Sequence, residues 1–310
     1  MESPVTSRMT ELMAEDRRPD EGSKILENPQ ALSPPTSTHG SDKEKERRGI
    51  CDEDSKGNGI GVITIWGMGG LGKTTLAQLL YNDEKVQEHF DLKAWACVSD
   101  DFSVLEVIRN LLESVTSKVY DNKNLDFLYV ELRNSLSNKK FLMVLDDLWN
   151  EKYSHWDDLV TPFHSGRRGS KIIVTTYQKR VVEITHTFPV HELRCLSDNN
   201  CWLLLSKHAF ANEDPNRYPE LGAIGKQIAR KCGGLPIAVK TIGGLLRSKV
   251  DEKEWSKILN SNQWGIPNDD VMPALRLSYL YLPSHLKKCF AYCSVFPKDM
   301  LLDKKKLVLL

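Results

Sequence analysis

Gly67-Met-Gly-Gly-Leu-Gly72-Lys73-Thr74 satisfies every fixed position of G-x-x-x-x-G-K-[ST]. It follows an apolar, β-branched run, Ile60-Gly-Val-Ile-Thr-Ile-Trp66, and leads into Thr75-Leu-Ala-Gln-Leu-Leu-Tyr81, which reads as a helix. Strand, glycine loop and helix in that order are what phosphate binding requires. Glycines let consecutive backbone N–H groups converge on the phosphates, and the helix N-terminus adds the positive end of a dipole. Gly67, Gly69, Gly70, Leu71, Gly72 and Thr75 are therefore expected in a cradle. Lys73 is expected to reach the β- and γ-phosphates, and the Thr74 hydroxyl to hold Mg²⁺. A chance glycine turn is the alternative, and the matching flanks weigh against it.

Phe141-Leu-Met-Val-Leu-Asp146-Asp147 supplies the second half of such a site. An apolar strand ending in a carboxylate delivers that carboxylate to the C-terminal edge of a parallel sheet, where a phosphate loop also lies. Asp146 is expected to bind Mg²⁺ directly or through water, and Asp147 to orient or deprotonate a water attacking the γ-phosphate. Two acids after a strand also begin ordinary turns; the loop about seventy residues upstream makes the difference. The run Ser170-Lys-Ile-Ile-Val-Thr-Thr176-Tyr177 is another strand. Its Thr175 and Thr176 either sense the γ-phosphate or are ordinary β-formers at a strand end.

Around these motifs the pattern is strand–helix alternation from Gly59. Strands are expected at 60–66, 93–98, 140–146 and 170–176, with a weaker fifth at about 188–193. The stretch 104–117 puts Val104, Val107, Ile108, Leu111, Leu112 and Val115 on one helical face. Short apolar strands between amphipathic helices argue for an α/β fold with a parallel sheet covered on both faces. After about 193 the strands stop. Ser197 is placed to cap a helix through Lys207, and 219–232 reads as a helix ended by Gly233-Gly234. Pro236 opens another through Arg247, a position where a first-turn proline is tolerated. Helical pattern continues over 269–279 and 283–293.

Residues 1–58 carry Ser33-Pro-Pro-Thr-Ser37 and Asp42-Lys-Glu-Lys-Glu-Arg-Arg48, and read as a disordered linker with at most a short helix near Met9–Met13. Lys+Arg and Asp+Glu both number 42, so nothing in the charge balance suggests a nucleic-acid or acidic-membrane surface. No apolar stretch is long enough to span a bilayer and no signal-peptide core is evident, so a cytoplasmic location is expected. The seven scattered cysteines suit a reducing compartment. His285, Cys289 and Cys293 share one helical face by i, i+4, i+8 spacing. One helix seldom supplies three convergent metal ligands, so buried packing is expected instead.

The phosphate loop, the Asp-Asp strand, the Thr-Thr strand and Gly233-Gly-Leu-Pro236-Ile-Ala, in this order, resemble the NB-ARC domain of plant disease-resistance receptors with coiled-coil N-termini. Phe90-Asp-Leu-Lys-Ala-Trp-Ala-Cys-Val-Ser99, Leu145-Asp-Asp-Leu-Trp149, Leu275-Arg-Leu-Ser-Tyr279 and Cys289-Phe-Ala-Tyr-Cys-Ser-Val-Phe-Pro297 fit further blocks of that family. The resemblance implies a P-loop NTPase sheet at 59–193, a helical subdomain at 194–265 and the start of a winged helix at 266–310. It also implies that strand 170–176 lies between the loop strand and the Asp-Asp strand, and that Pro236 sits near the adenine. ADP would hold an off state, and ATP would permit assembly with itself or with other immune receptors.

The implied function is an ADP/ATP switch with slow hydrolysis at most. The alternative is a degenerate module acting only by association with full-length relatives. Where the family carries an arginine that contacts the γ-phosphate, this chain has Tyr177, which offers no bidentate cation, so ADP is the expected ligand. The family's Gly-Arg segment is matched only by Gly40-Ser41-Asp42. No recognisable coiled-coil or TIR-type signalling domain precedes residue 58, and the chain stops before the family's Met-His-Asp motif and leucine-rich repeats. A fragment, a truncated gene product or a partial gene model of a longer receptor is the resulting expectation.

Overall fold

The computed structural model describes residues 60–98, 102–211, 213–247, 249, 251–265 and 273–296. The expected N-terminal linker, the residues 266–272 and the stretch from 297 onward lie outside them. The described residues form two compact units, one running up to Arg194 and the other starting at Cys195.

In the first unit the elements run β1 (Gly61–Trp66), α1 (Lys73–Tyr81), α2 (Glu84–His89), β2 (Leu92–Cys97), α3 (Val104–Thr116) and α4 (Leu125–Leu136). They continue with β3 (Phe141–Asp146), α5 (Tyr153–Val160), β4 (Lys171–Thr176), α6 (Lys179–Thr185) and β5 (His191–Glu192). All pairings are parallel, in the order β2-β3-β4-β1-β5, so β4 lies between the loop strand and the Asp-Asp strand as expected. Every residue of β3 and β4 is buried, in keeping with their apolar stretches Phe141–Leu145 and Ile172–Val174; the buried polar Asp146, Thr175 and Thr176 lie at the strand ends.

Side-chain alternation sorts the two faces. Phe141, Met143 and Leu145 of β3 join Ile172 and Val174 of β4 in one core with Ile108, Leu111 and Leu112 of α3 and Leu128, Leu132 and Leu136 of α4. Helix α3 has the periodicity anticipated and is capped by Ser103, whose hydroxyl accepts from the Glu106 N–H. The alternate residues of both strands point to the other face, where α1 packs. The fifth strand is shorter than its sequence suggested. Thr187 and Phe188 still bond to the Val62 carbonyl, but Pro189 has no N–H to continue the ladder, and regular pairing is confined to Ile65–His191 and Trp66–Glu192.

The second unit is helical: α7 (Asp198–Ala209), α8 (Pro219–Lys231), α9 (Pro236–Arg247), α10 (Glu252–Leu259), α11 (Pro273–Tyr281) and α12 (Ser284–Cys293). Ser197 caps α7, its side chain accepting from the Asn200 N–H. Gly233 and Gly234 have φ of 61° and 77°, the left-handed turn that ends α8. A side chain at Gly234 would meet the Leu196 carbonyl oxygen at 2.8 Å. The packed core expected for His285, Cys289 and Cys293 is not found. No residue of α12 is buried; His285 is exposed and both cysteines are half-buried, because the helix meets α11 through ring contacts such as Tyr279–Phe290 rather than inserting a face. Among the described residues no helix is long and apolar enough to cross a membrane.

Candidate functional site

Strand β1 ends at Trp66, and the chain turns back through six residues before α1 begins at Lys73. Gly70 and Gly72 take φ of 79° and 90°, a backbone that side chains resist; Gly72 is the N-cap of α1. At Gly67 a Cβ would lie 2.9 Å from the Leu193 carbonyl oxygen, so this position has no room for one. At Gly69 a Cβ would meet nothing within 4 Å, and Met68 beside it is 60% exposed: the outer arc of the loop is open. Leu71 is buried and anchors the inner arc. The Thr75 side chain is half-buried in the first turn of α1.

The Lys73 side chain is buried, and its ammonium donates to the Gly67 carbonyl at 2.9 Å and the Met68 carbonyl at 3.1 Å. It folds back along the loop it serves. Thr74 donates its hydroxyl to Asp146 Oδ1 at 3.0 Å, which links the start of α1 to the end of β3. Asp146 is 5% exposed. Burial raises its pKa above the ordinary carboxylate range, against the lowering effect of hydrogen bonds from Thr175 and Thr74. Burial likewise lowers the Lys73 pKa, opposed by the charges of Asp147 and Asp146. Opposite charges are thus held close together in a partly dehydrated corner.

The Asp146–Asp147 turn is fastened to the end of β4. Thr175 donates to Asp146 Oδ1 at 2.5 Å and accepts from the Asp147 N–H at 2.8 Å. The Leu148 N–H bonds to the Thr175 carbonyl at 2.9 Å. Asp147 sits at φ 59°, left-handed for a residue other than glycine. Thr176 occupies the other face: its hydroxyl donates to the Leu148 carbonyl at 2.7 Å and accepts from the Gln178 N–H at 3.0 Å. Tyr177 follows, its carbonyl accepting from Trp66 Nε1 at 3.3 Å and its ring edge-on to Trp149 with centroids 4.5 Å apart.

The first unit thus brings together the loop, Lys73, Thr74, Asp146 and Asp147. Pro236 lies in the second unit, buried at the start of α9. The sequence named Thr175 as either a γ-phosphate sensor or an ordinary strand-end threonine, not as a partner of Asp146. Its partner is set by the register: Leu145 faces Val174, so Asp146 follows opposite Thr175, a relation one strand alone does not reveal. A hydroxyl and a carboxylate 3.0 Å apart form an all-oxygen donor set, the chemistry that suits Mg²⁺. Among the described residues no three His, Cys, Asp or Glu side chains cluster as a metal cage.

The NB-ARC domain family matches residues 43–215. A putative disease resistance RPP13-like protein 1 from Arabidopsis thaliana is 47% identical over 273 residues, covering 87% of this chain and 26% of the relative. Disease resistance protein RGA2 of Solanum bulbocastanum is 42% identical over 275 residues, covering 87% and 28%. The chain therefore spans about a quarter of the length of these relatives. Among solved structures, a Drosophila ORC bound to DNA superposes with a TM-score of 0.50 at 11% identity, covering 93% of this chain and 80% of that one. Likeness at that identity concerns the fold alone. A family match over more than half the chain, with relatives above 40% identical over most of it, settles the assignment: the chain belongs to the NB-ARC domain family, the nucleotide-binding module of plant disease-resistance proteins.

Proposed function

We propose that this module is an ADP/ATP-dependent switch of a cytoplasmic plant immune receptor, hydrolysing ATP slowly at most. The contact between Thr74 and Asp146, 3.0 Å across the mouth of the phosphate loop, carries the reading. It puts two oxygen donors beside the Lys73 ammonium, in the arrangement that a magnesium nucleotide calls for. Backbone N–H groups of Gly67–Gly72 and Thr75 would surround the phosphates, and Lys73 would leave its loop carbonyls for phosphate oxygens. Thr74 and Asp146 would hold Mg²⁺, which neutralises phosphate charge when bound. Asp147 would orient a water, Thr176 would brace the wall through the Leu148 carbonyl, and Pro236 would meet the adenine.

A switch needs a ligand group whose contacts differ between two states; without that differential no equilibrium moves. The γ-phosphate is such a group. Tyr177 lies at the strand end from which it would be sensed and brings a phenol rather than a cation, which supports ADP as the resting ligand. Assembly with like chains or other immune receptors belongs to the same proposal. So does the winged-helix reading of 266–310.

The test is to denature the purified full chain and chromatograph what it releases. Stoichiometric ADP supports the switch. An empty protein that melts higher only with a full-length relative would favour a degenerate interaction module. Turnover on the order of 1 s⁻¹ or faster would make it an ordinary ATPase.

A further inference from the structure

Thr175 is fully buried, and its one hydroxyl serves both acids at once. It donates to Asp146 Oδ1 at 2.5 Å and accepts from the Asp147 N–H at 2.8 Å. A hydroxyl has a single proton, so donation to the carboxylate leaves its lone pairs for the amide. Thr175 also accepts the Leu148 N–H at its carbonyl, 2.9 Å away. The turn after β3 is therefore held by side chain and main chain of the same residue, at the point where Asp147 takes its left-handed φ of 59°.

Asp146 Oδ1 receives two hydroxyls, from Thr74 and from Thr175. Among the described residues neither hydroxyl bonds to Oδ2, which leaves that oxygen for a cation or its water. The two threonines are not equivalent. Thr74 is exposed at the loop, and its hydroxyl can donate to Asp146 while offering a lone pair to a cation. Thr175 is out of reach of solvent and stays. It is the buried donor that keeps the carboxylate aimed, while Thr74 faces the ligand side.

We propose that Thr175 is a positioning residue that couples the acid pair. Through one hydroxyl it fixes the Asp146 carboxylate for Mg²⁺ and holds the Asp147 peptide, so that cation binding and placement of the second acid form one event. This rests on the nucleotide reading for its cation half, and on the geometry of the turn for the other.

Thr175→Val removes the hydroxyl at nearly constant shape, and Thr175→Ser keeps it. Amide hydrogen exchange, measured on the full chain without nucleotide, reads the turn directly. In wild type the Asp147 amide should be protected. In the valine variant it should exchange about tenfold faster, and in the serine variant within about twofold of wild type. Calorimetry with ADP in magnesium chloride and in EDTA reads the cation. The valine variant should keep its affinity in EDTA within about twofold and lose about tenfold of the magnesium-dependent gain, with serine restoring it.

An unprotected Asp147 amide in wild type, equal exchange in wild type and the valine variant, or a serine variant as fast as valine would overturn the positioning role. A full magnesium gain in the valine variant would overturn the coupling. Wild-type protein that binds no ADP in either buffer would sink the nucleotide reading instead, while the exchange result still decides what Thr175 does for the turn. Should the valine variant not fold, wild-type protection and the serine variant give the decision.

Discussion

The Thr74 hydroxyl reaches Asp146 Oδ1 at 3.0 Å, joining residues 72 positions apart in the chain. One sits at the start of a helix, the other at the end of a fully buried strand. Their meeting follows from the sheet order, since β1 and β3 both flank β4 and all three end on the same edge. If the pair holds Mg²⁺, then Asp146→Asn, which keeps the shape and removes the charge, should abolish most of the magnesium dependence of ADP affinity. Titration calorimetry in magnesium and in EDTA is the measurement. A variant with the wild-type magnesium effect would remove Asp146 from the metal site.

Lys73 offers a simpler case. Its ammonium is held by the carbonyls of Gly67 and Met68, so it shapes the loop as well as supplying charge. Lys73→Ala should lose nucleotide affinity by about two orders of magnitude or more, since hydrogen bonds to charged groups are among the strongest single contacts. Because the same side chain lies away from the main core, the variant should still fold cooperatively. ADP released in wild-type amounts from denatured mutant protein would contradict this.

How far the sequence carried these conclusions depends on the kind of contact. β3 and β4 were legible almost to the residue, because strands buried on both faces carry unbroken apolar stretches, here Phe141–Leu145 and Ile172–Val174. The cap of α7 at Ser197 and the glycine stop of α8 were legible because each is local chemistry. The fifth strand was overread, since an apolar run says nothing of which N–H a proline removes. Pairing between elements was the harder part. That Thr175 rather than Thr176 meets Asp146 depends on register, and that Trp66 bonds the Tyr177 carbonyl while Trp149 meets its ring depends on three chain segments arriving at one edge. For α12, its helical spacing could not tell whether anything packs on its face.

Tyr177 gives a prediction about ligand preference. Its neighbour Arg180 is exposed and paired with Glu183 at 3.0 Å, so the nearby cation is engaged elsewhere. Tyr177→Arg should raise affinity for ATP relative to ADP, by supplying a planar cation at the strand end. It should also cost about 1 kcal/mol of stability through the lost edge-to-face contact with Trp149. Competition calorimetry with the two nucleotides checks the first part and chemical denaturation the second. Unchanged relative affinities would count against any sensing role for this position.

The core beneath the site has its own test. Leu132 of α4 is fully buried among Leu128, Leu136 and the apolar face of the sheet. Leu132→Ala should destabilise the first unit by about 3 kcal/mol, combining lost burial with an unfilled cavity. The site lies at the strand ends, away from this helix. ADP affinity of the fraction that remains folded should therefore stay within about twofold of wild type. Urea denaturation gives the first quantity and calorimetry in native buffer the second.

In the second unit, Cys232 is buried, and burial together with the nearby Cys201 pushes its thiol pKa up to about 12. An unfolded chain would ionise this thiol at an ordinary value near 8.5, whereas the fold keeps it protonated. The sign follows: the folded-state pKa is raised, so stability is fully present below the unfolded value and is lost as pH rises from about 9 towards 12. Cys232→Ala should flatten that decline when melting temperature is followed from pH 8 to 10.5. The same burial should shield Cys201 and Cys232 from a maleimide under native conditions, while the exposed Cys97 and Cys195 react. Mass spectrometry of timed labelling separates the two classes, and rapid native labelling of Cys232 would show that its helix end opens far more readily than its packing implies.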